Sequence, residues 1–442
     1  MTGLRVLRIY HAGGDHSHRA RERALLEAGV DVTIVVPSNW PDADDVDDVP
    51  VRRLGVRRPG DVNRHTYLDP GQLSGLVREL APDVVDIHEE PVSLAARQWL
   101  RAAGDLPVVM YTAQNLDKRW PPPFAQYERA ALRRTAAFYA CSAQAASVLR
   151  GKGYGGSIRV LPLGIDPDVH HPGTQQLPAS EVVLGLVGRL VPEKGVLDAV
   201  TVLAAVNQVM PARLLVIGDG PEVEPAKALS DALGVSQRCT WLPWCNAAEL
   251  SKAYRRMHVV LVPSLATSRW VEQFGRVITE GQANGAVPVG YASGSIAEVI
   301  GAGGITVAEG DVTRLTSATA SLVADPARWL ALRRQGLQAT AGRAWTSVSA
   351  DQLDLYTEAA TGTCPELSRA SSGTRARAVE EFGPPARGPG GGRPFALPLL
   401  RNAGLISRGV AALIDRATRT RDVSVAAGTP RPPRPRRDQQ RL

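Results

Sequence analysis

The chain has 442 residues, 44% hydrophobic and 21% charged, enough for two domains with separate cores. Its net charge of +7 is uneven: from residue 361 onward 15 arginines and no lysine face six acids, which leaves about −2 for everything before it. No run reaches the about 18 apolar residues that cross a bilayer, the four cysteines (Cys141, Cys239, Cys245, Cys364) form no C-x-x-C pair, and no secretory leader is visible, so a reduced, cytoplasmic protein without structural zinc is expected.

In chain order, Leu4 to Tyr10 reads as a buried strand running into His11-Ala-Gly13-Gly14-Asp15-His16, then a helix-like run to about Ala28 closed by Gly29. Strands are predicted at Val32 to Val36 and Val51 to Leu54, with an acidic loop between them. Helices at Leu73 to Leu80, Pro91 to Ala103, Phe124 to Arg134 and Ala143 to Gly151 alternate with strands at Asp83 to His88, Pro107 to Thr112, Phe138 to Cys141 and Ile158 to Leu161. That alternation predicts a parallel sheet covered by helices. The Pro-bearing stretch from Ile165 to Ala179 reads as a linker. The alternation then restarts, with strands at Val182 to Val187, Arg213 to Ile217 and Cys239 to Leu242, and helices at Val196 to Val209 and Glu222 to Leu233. A further helix is opened by Asn246 with Glu249 three residues on, a capping box. Trp345 to Tyr356 reads as a last helix. Past Thr361, Gly, Pro, Arg and Ser dominate and disorder is expected. Within that tail, 395–421 places Leu399, Leu400, Ala403, Ile406, Val410, Leu413 and Ile414 on one helical face with arginines opposite. Such a segment suits peripheral contact with the inner face of a membrane, or docking on the body or on a partner.

The stretch from Leu261 to Ile300 carries the chemistry. An apolar strand ends at Pro263-Ser264, a loop brings Glu272, Phe274 and Gly275, a helix follows to about Ala283, and Val287 to Tyr291 forms the next strand. A helix N-terminus offers free N–H groups and partial positive charge to a phosphate, and a glycine there permits close approach. Two glutamates, Glu272 before the helix and Glu280 inside it, bracket that anion site and suit a ligand with hydroxyls at both ends, as in a nucleotide-sugar. The order Pro263-Ser264, Glu272, Phe274-Gly275, Glu280, Gly285, Pro288-Val289 resembles the E-x7-E motif of the family 4 retaining glycosyltransferases, which have the GT-B fold. Gln273 and Arg276 fall at positions that vary or are small in that pattern. The resemblance implies that Glu272 binds sugar hydroxyls, that the Phe274-Gly275 backbone faces sugar and diphosphate, and that Glu280 holds the ribose. It implies two facing Rossmann-like α/β domains: 1–165 on the acceptor side, a linker 166–180, a donor domain 181–344, a crossover helix 345–360, and the tail 361–442.

Gly188-Arg189 and Lys194-Gly195 follow a strand and precede a helix, and resemble the G-R-L…K-G segment of the same family. Arg189 and Lys194 are therefore expected on the diphosphate, where cations neutralise a leaving group. Gly13 and Gly14 correspond to the glycine-rich loop expected near the donor phosphates. Gly218-Asp219-Gly220-Pro221 is a poor dinucleotide fingerprint, lacking the third glycine. Asp42-Ala-Asp44 and Asp45-Val-Asp47 match a D-x-D metal pattern but lie in the acidic loop, and solvated charges are expected there. His11, His16 and His18 read as a polar loop, since no carboxylates cluster to help them bind a metal; no metal or other cofactor is expected to be required. For the acceptor, His88, Glu89, Gln114, Asn115, Lys118 and Arg119 stand at or beyond consecutive strand ends. Gln114 occupies a place where relatives often carry histidine. The expected reaction moves a sugar from a UDP- or GDP-sugar to a hydroxyl of a glycan, lipid-linked or small-molecule acceptor, with Arg189, Lys194 and Glu272 catalytic and no nucleic-acid partner. The alternatives are an epimerase-like GT-B enzyme and a non-catalytic binding protein.

Overall fold

The computed structural model describes residues 3–174 and 180–362; the basic tail, with its amphipathic segment 395–421, lies outside the described residues. The first domain is built on a seven-stranded parallel sheet. Its strands are β1 (Arg5–Ile9), β2 (Asp31–Pro37), β3 (Val51–Leu54), β6 (Val84–Ile87), β7 (Val108–Thr112), β8 (Ala137–Ala140) and β9 (Ser157–Val160), in spatial order β3-β2-β1-β6-β7-β8-β9. A short antiparallel ribbon, β4 (Val56–Arg57) with β5 (Thr66–Tyr67), stands beside it. Helices α1 (Ala20–Glu27), α2 (Pro70–Leu80), α3 (Leu94–Ala102), α4 (Phe124–Arg134) and α5 (Ala143–Gly151) cover the sheet. The inner strands are near-continuous Val, Ile and Leu runs because both faces are covered, as parallel sheets require. Ser93 and Ser142 cap α3 and α5 by accepting from Ala96 and Ala145 N–H.

The second domain repeats the plan on a six-stranded parallel sheet, order β12-β11-β10-β13-β14-β15. Here β10 is Val182–Val187, β11 Ala212–Ile217, β12 Cys239–Leu242, β13 Val259–Val262, β14 Val287–Tyr291 and β15 Ile305–Val307. Its helices are α6 (Val196–Val206), α7 (Val223–Ala232), α8 (Ala247–Tyr254), α9 (Arg276–Ala283), α10 (Ile296–Ile300), α11 (Val312–Val323) and α12 (Pro326–Ala341). The capping box at Asn246 and Glu249 forms, each side chain taking the other's backbone N–H.

A last helix, α13 (Trp345–Thr361), leaves the second domain and packs on α1 of the first. Its Val348, Leu355, Tyr356 and Ala359 join a core with Val6, Leu25, Val32 and Ile34. A polar network runs through the same layer. Arg8, fully buried on β1, donates from Nε to Glu22 at 2.5 Å, from Nη1 to Asp86 and to the Tyr139 hydroxyl at 2.8 Å, and from Nη2 toward His88 Nδ1 at 3.0 Å. The Tyr356 hydroxyl donates to Asp86 at 2.5 Å, and Arg21 donates to Gln352 at 2.8 Å. Burial opposes the Arg8 charge, but Asp86, Tyr139 and Glu22 more than offset it and the guanidinium is held charged.

Some elements depart from expectation. The ribbon β4–β5 and strand β15 are too short for a two-residue alternation to register. Helix α11 is rich in Thr and Ser, and α12 buries little beyond Trp329, Gly336 and Thr340, so neither shows a strong apolar stripe. Helix α6 ends at Val206, and α13 runs on to Thr361. The acidic loop is not simply solvated. Asp44 pairs with His16 at 2.7 Å, Asp48 with Arg19 at 2.8 Å and Arg23 at 2.5 Å, and Asp47 with Arg53 at 2.6 Å.

Removing one member of a buried ion network strands the others. Asp86→Ala is expected to cost about 3–5 kcal/mol in urea denaturation, whereas Glu79→Ala, which breaks the exposed pair with Arg52 at 3.5 Å, should change stability by less than about 1 kcal/mol.

Candidate active site

The carboxyl ends of the two sheets meet across a cleft, the place where open parallel sheets hold ligands. From the second domain, the loop after β10 brings Lys194 and the loop after β13 brings Glu272. Lys194 Nζ lies 2.5 Å from Glu272 Oε2, and the Ser264 hydroxyl donates to the same oxygen at 3.2 Å. The Lys194 ammonium also stands 5.0 Å from the Trp270 ring centroid, within cation–π range. Gly275 precedes α9 with φ +83°, a left-handed conformation that a side chain resists; a Cβ there would lie 2.9 Å from Ile278 Cδ1. The turn lets α9 begin abruptly; the Ile278 N–H is taken by the Gly275 carbonyl at 2.9 Å, and those of Arg276 and Val277 have no partner among the described residues. Phe274 is buried in the core beneath, so its backbone is what the loop presents. One turn on, Glu280 accepts from the Tyr254 hydroxyl at 3.1 Å and pairs with Arg276 at 3.0 Å. Lys194 and Glu272 are thus in contact beside Gly275, and Glu280 lies within the helix that this glycine opens. Arg189 is exposed, just beyond Gly188 at the end of β10, with no described residue paired to it.

The first domain supplies the facing wall. A cavity of about 410 Å³ is lined there by Tyr10, His11, His88, Glu89, Tyr111 and Gln114 among others, with Arg269, Trp270, Val271 and Gln273 closing it from the second domain. Asn115 and Lys118 also line it. Asn115 is buried and its amide donates to the Glu272 carbonyl at 2.6 Å, so this side chain bridges the domains. Gln114 donates to the Leu116 carbonyl at 3.1 Å. Arg119 is exposed and does not line the cavity. Gly13 and Gly14 are buried in a 3-10 turn, His11–Gly14, and their carbonyls accept from Arg19 at 2.6 and 3.2 Å; of this turn, His11 and Ala12 reach the cavity.

Three groups in the wall are electrostatically tuned. His11 Nδ1 lies 2.7 Å from Glu89 Oε2, and the His11 N–H donates to Oε1 of the same carboxylate at 3.0 Å. Burial disfavours charge on this ring, yet the Glu89 carboxylate outweighs it and raises the pKa above the ordinary histidine value. His88 goes the other way: burial, reinforced by Arg8, pushes it well below that value and keeps it neutral. Burial likewise raises Glu90, whose carboxylate accepts from the Thr112 hydroxyl and the Ala113 N–H, both at 2.8 Å. Lys118 and Arg269 are cations of the cleft to which no described residue is paired.

Sequence reasoning did not place Arg269 and Trp270 at the cleft, and it read His11 as loop polarity. The available signal for His11 was its place directly after the first strand. Carboxylates do approach the histidine loop, contrary to expectation: Asp15, His16 and Asp44 hold ligand atoms within 4.8 Å of one another. The group is exposed, and His16 Nδ1 is already engaged by Asp44.

Two facing parallel α/β domains with this cleft define the GT-B fold. Among solved structures, the chain resembles sucrose-phosphate synthase of Thermosynechococcus elongatus (TM-score 0.64, 18% identity, covering 81% of this chain and 100% of that one). It also resembles Anabaena Alr3699/HepE, solved in complex with UDP and glucose (TM-score 0.60, 17% identity, 80% and 100%). Within that fold class, residues 22–169 match the model for Glycosyltransferase Family 4, and residues 171–339 that for Glycosyl transferases group 1. Curated relatives include a D-inositol 3-phosphate glycosyltransferase of Segniliparus rotundus, 34% identical over 222 residues, covering 46% of this chain and 48% of that protein. Another, from Catenulispora acidiphila, is 32% identical over 219 residues, covering 45% and 51%. The chain spans about half the length of these relatives.

Gly275→Ala tests the turn that sets α9. Forcing an L-residue into the left-handed region should cost about 1–2 kcal/mol, read as a lower urea midpoint, and UDP binding by calorimetry should weaken with it.

Proposed function

We propose that the protein is a retaining glycosyltransferase that moves a sugar from a nucleoside-diphosphate sugar to a hydroxyl acceptor. The observation that carries this reading is the Lys194–Glu272 pair at the head of α9, opposite a polar cavity in the other domain. An ammonium, an exposed guanidinium at Arg189 and free helix N–H groups form an anion site, and Glu272 and Glu280 provide carboxylates on either side for sugar and ribose hydroxyls. As the glycosidic C–O bond loosens, negative charge grows on the diphosphate. Lys194, Arg189 and the α9 N-terminus stabilise that charge more in the transition state than in the ground state. The carboxylates at the cleft are engaged by protein partners, Glu89 by His11, Glu90 by Thr112 and Ala113, and Glu272 by Lys194, which favours proton transfer from the acceptor hydroxyl to the departing phosphate on the same face over a covalent intermediate. HepE, solved with UDP and glucose, supports a uridine or related nucleotide in the donor. Closure of the domains would exclude water from the loosened sugar.

For the acceptor, Lys118 and Arg269 favour an anion. The acids of the same wall, Glu89 and Glu90, are already engaged by His11, Thr112 and Ala113. Relatives named for D-inositol 3-phosphate glycosyl transfer support a small phosphorylated polyol. No described helix is long and apolar enough to cross a membrane.

Calorimetry with UDP and GDP tests the donor site. Lys194→Ala should weaken nucleoside-diphosphate binding by about 1.5–3 kcal/mol, the scale of a charge-assisted hydrogen bond; unchanged affinity overturns the assignment. Incubation of UDP- and GDP-sugars without acceptor should leave the sugar unepimerised, and the anomeric configuration of a transferred sugar, read by NMR, should match the donor's.

A further inference from the structure

Two imidazoles enter the cleft from neighbouring strands, and their partners fix opposite tautomers. At the end of β1, His11 turns Nδ1 to the Glu89 carboxylate at 2.7 Å, an acceptor, so the proton sits on Nδ1 and Nε2 carries a lone pair. At the end of β6, His88 turns Nδ1 to Arg8 Nη2 at 3.0 Å, a donor that has no lone pair to offer, so Nδ1 accepts and Nε2 carries the proton. The Tyr139 hydroxyl, which accepts from Arg8 Nη1 at 2.8 Å, stands 2.7 Å from the same Nδ1 and can donate to it as well. Neither Nε2 is hydrogen-bonded to a described residue, neither is buried without a partner, and both rings line the cavity. Packing fixes both ring planes. His88 stacks on Tyr111 at 3.9 Å and meets the edge of Tyr10 at 4.5 Å; His11 lies against Trp40 at 4.9 Å and His65 at 5.9 Å.

We propose that His11 and His88 read two hydroxyls of a polyhydroxylated acceptor ring, one donating to His11 Nε2 and the other accepting from His88 Nε2–H. This rests on the cleft being the acceptor side of a glycosyltransferase. A hydroxyl can do either, but a ring that presents two at the right separation satisfies both atoms at once, and a compound with one hydroxyl cannot. The pair supplies orientation, so that a third hydroxyl reaches the sugar.

The two rings differ in their response to pH. His11 is faced by Glu89 and Glu90, with His65 beside it, and the acids raise its pKa. His88 is faced by Arg8, Arg21 and His11, which with burial keep it neutral. Protonation of His11 removes its lone pair, so acceptor binding should weaken as pH falls through the His11 pKa, while His88 does not titrate in that range.

The test uses the full chain, a UDP-sugar donor, and an acceptor panel of D-inositol 3-phosphate, hexoses, hexose phosphates and singly deoxygenated analogues, with water as acceptor if none of these turns over. The acceptor KM should rise as pH is lowered across about pH 8 to 5, with kcat changing less. Glu89→Gln removes the charge that raises His11, so the rise should move to lower pH. His11→Gln, which keeps an acceptor atom, should hold KM near wild type and flatten the pH profile. His11→Leu, and His88→Phe, which keeps the stack, should each raise KM about tenfold, with UDP affinity unchanged throughout. A pH-independent KM, a KM that improves on acidification as a charged His11 gripping an anion would give, or a wild-type KM in His11→Leu each overturns the proposal. Absence of both UDP binding and sugar transfer in the wild type removes the transferase reading itself, and this one with it.

Discussion

A single guanidinium, sealed from water inside the first domain, conditions much of what surrounds it. Arg8 is the fourth residue of the central strand β1, paired with Ile34 of β2 and Asp86 of β6, where an apolar side chain would be the ordinary choice. Charge in that position is tolerable only if it is matched, and Glu22 from α1 and Asp86 from β6 match it. Asp86 is in turn held by Tyr356 and Gln352 of α13, so the helix that crosses from the second domain is keyed to the first by directional bonds as well as by apolar packing. The same guanidinium reaches His88, and so reaches the cleft. Fold, domain association and one wall of the site share one charge.

The residues proposed to hold the donor could be grouped from the sequence because they are close along the chain. Glu272, Gly275 and Glu280 lie within nine residues, and a strand–loop–helix pattern is enough to put them around one helix tip. Lys194 was expected only through the resemblance of its G-R-L…K-G segment, and the structure brings it 2.5 Å from Glu272. The alternation of strands and helices was equally plain, since buried parallel strands are continuous apolar runs. The acceptor wall is different. Its residues are contributed by the ends of β1, β6 and β7 and by a loop of the other domain, and only the strand order brings these together. His11 and Glu89 are 78 positions apart. Nothing local in either stretch signals the pair, and the buried Arg8 that sets His88 looks, in sequence, like an unremarkable charge in a strand.

Both glutamates of the donor motif have cationic partners before any ligand is considered, Glu272 with Lys194 and Glu280 with Arg276. Internal pairing holds each carboxylate aligned, and on the proposed reading each cation exchanges its carboxylate for phosphate when a nucleotide arrives. Trp270 beneath the Lys194 ammonium offers it a face during that exchange.

Glu272 is also gripped twice, its carboxylate by Lys194 of its own lobe and its carbonyl by the Asn115 amide of the opposite one. If the lobes part, the bond lost is at the residue proposed to meet the sugar. On that reading, opening and loosening of the donor become one event, a latch in which exit of a spent nucleotide is linked mechanically to exposure of the facing wall, and turnover would be paced by how readily one side-chain amide lets go of one peptide oxygen.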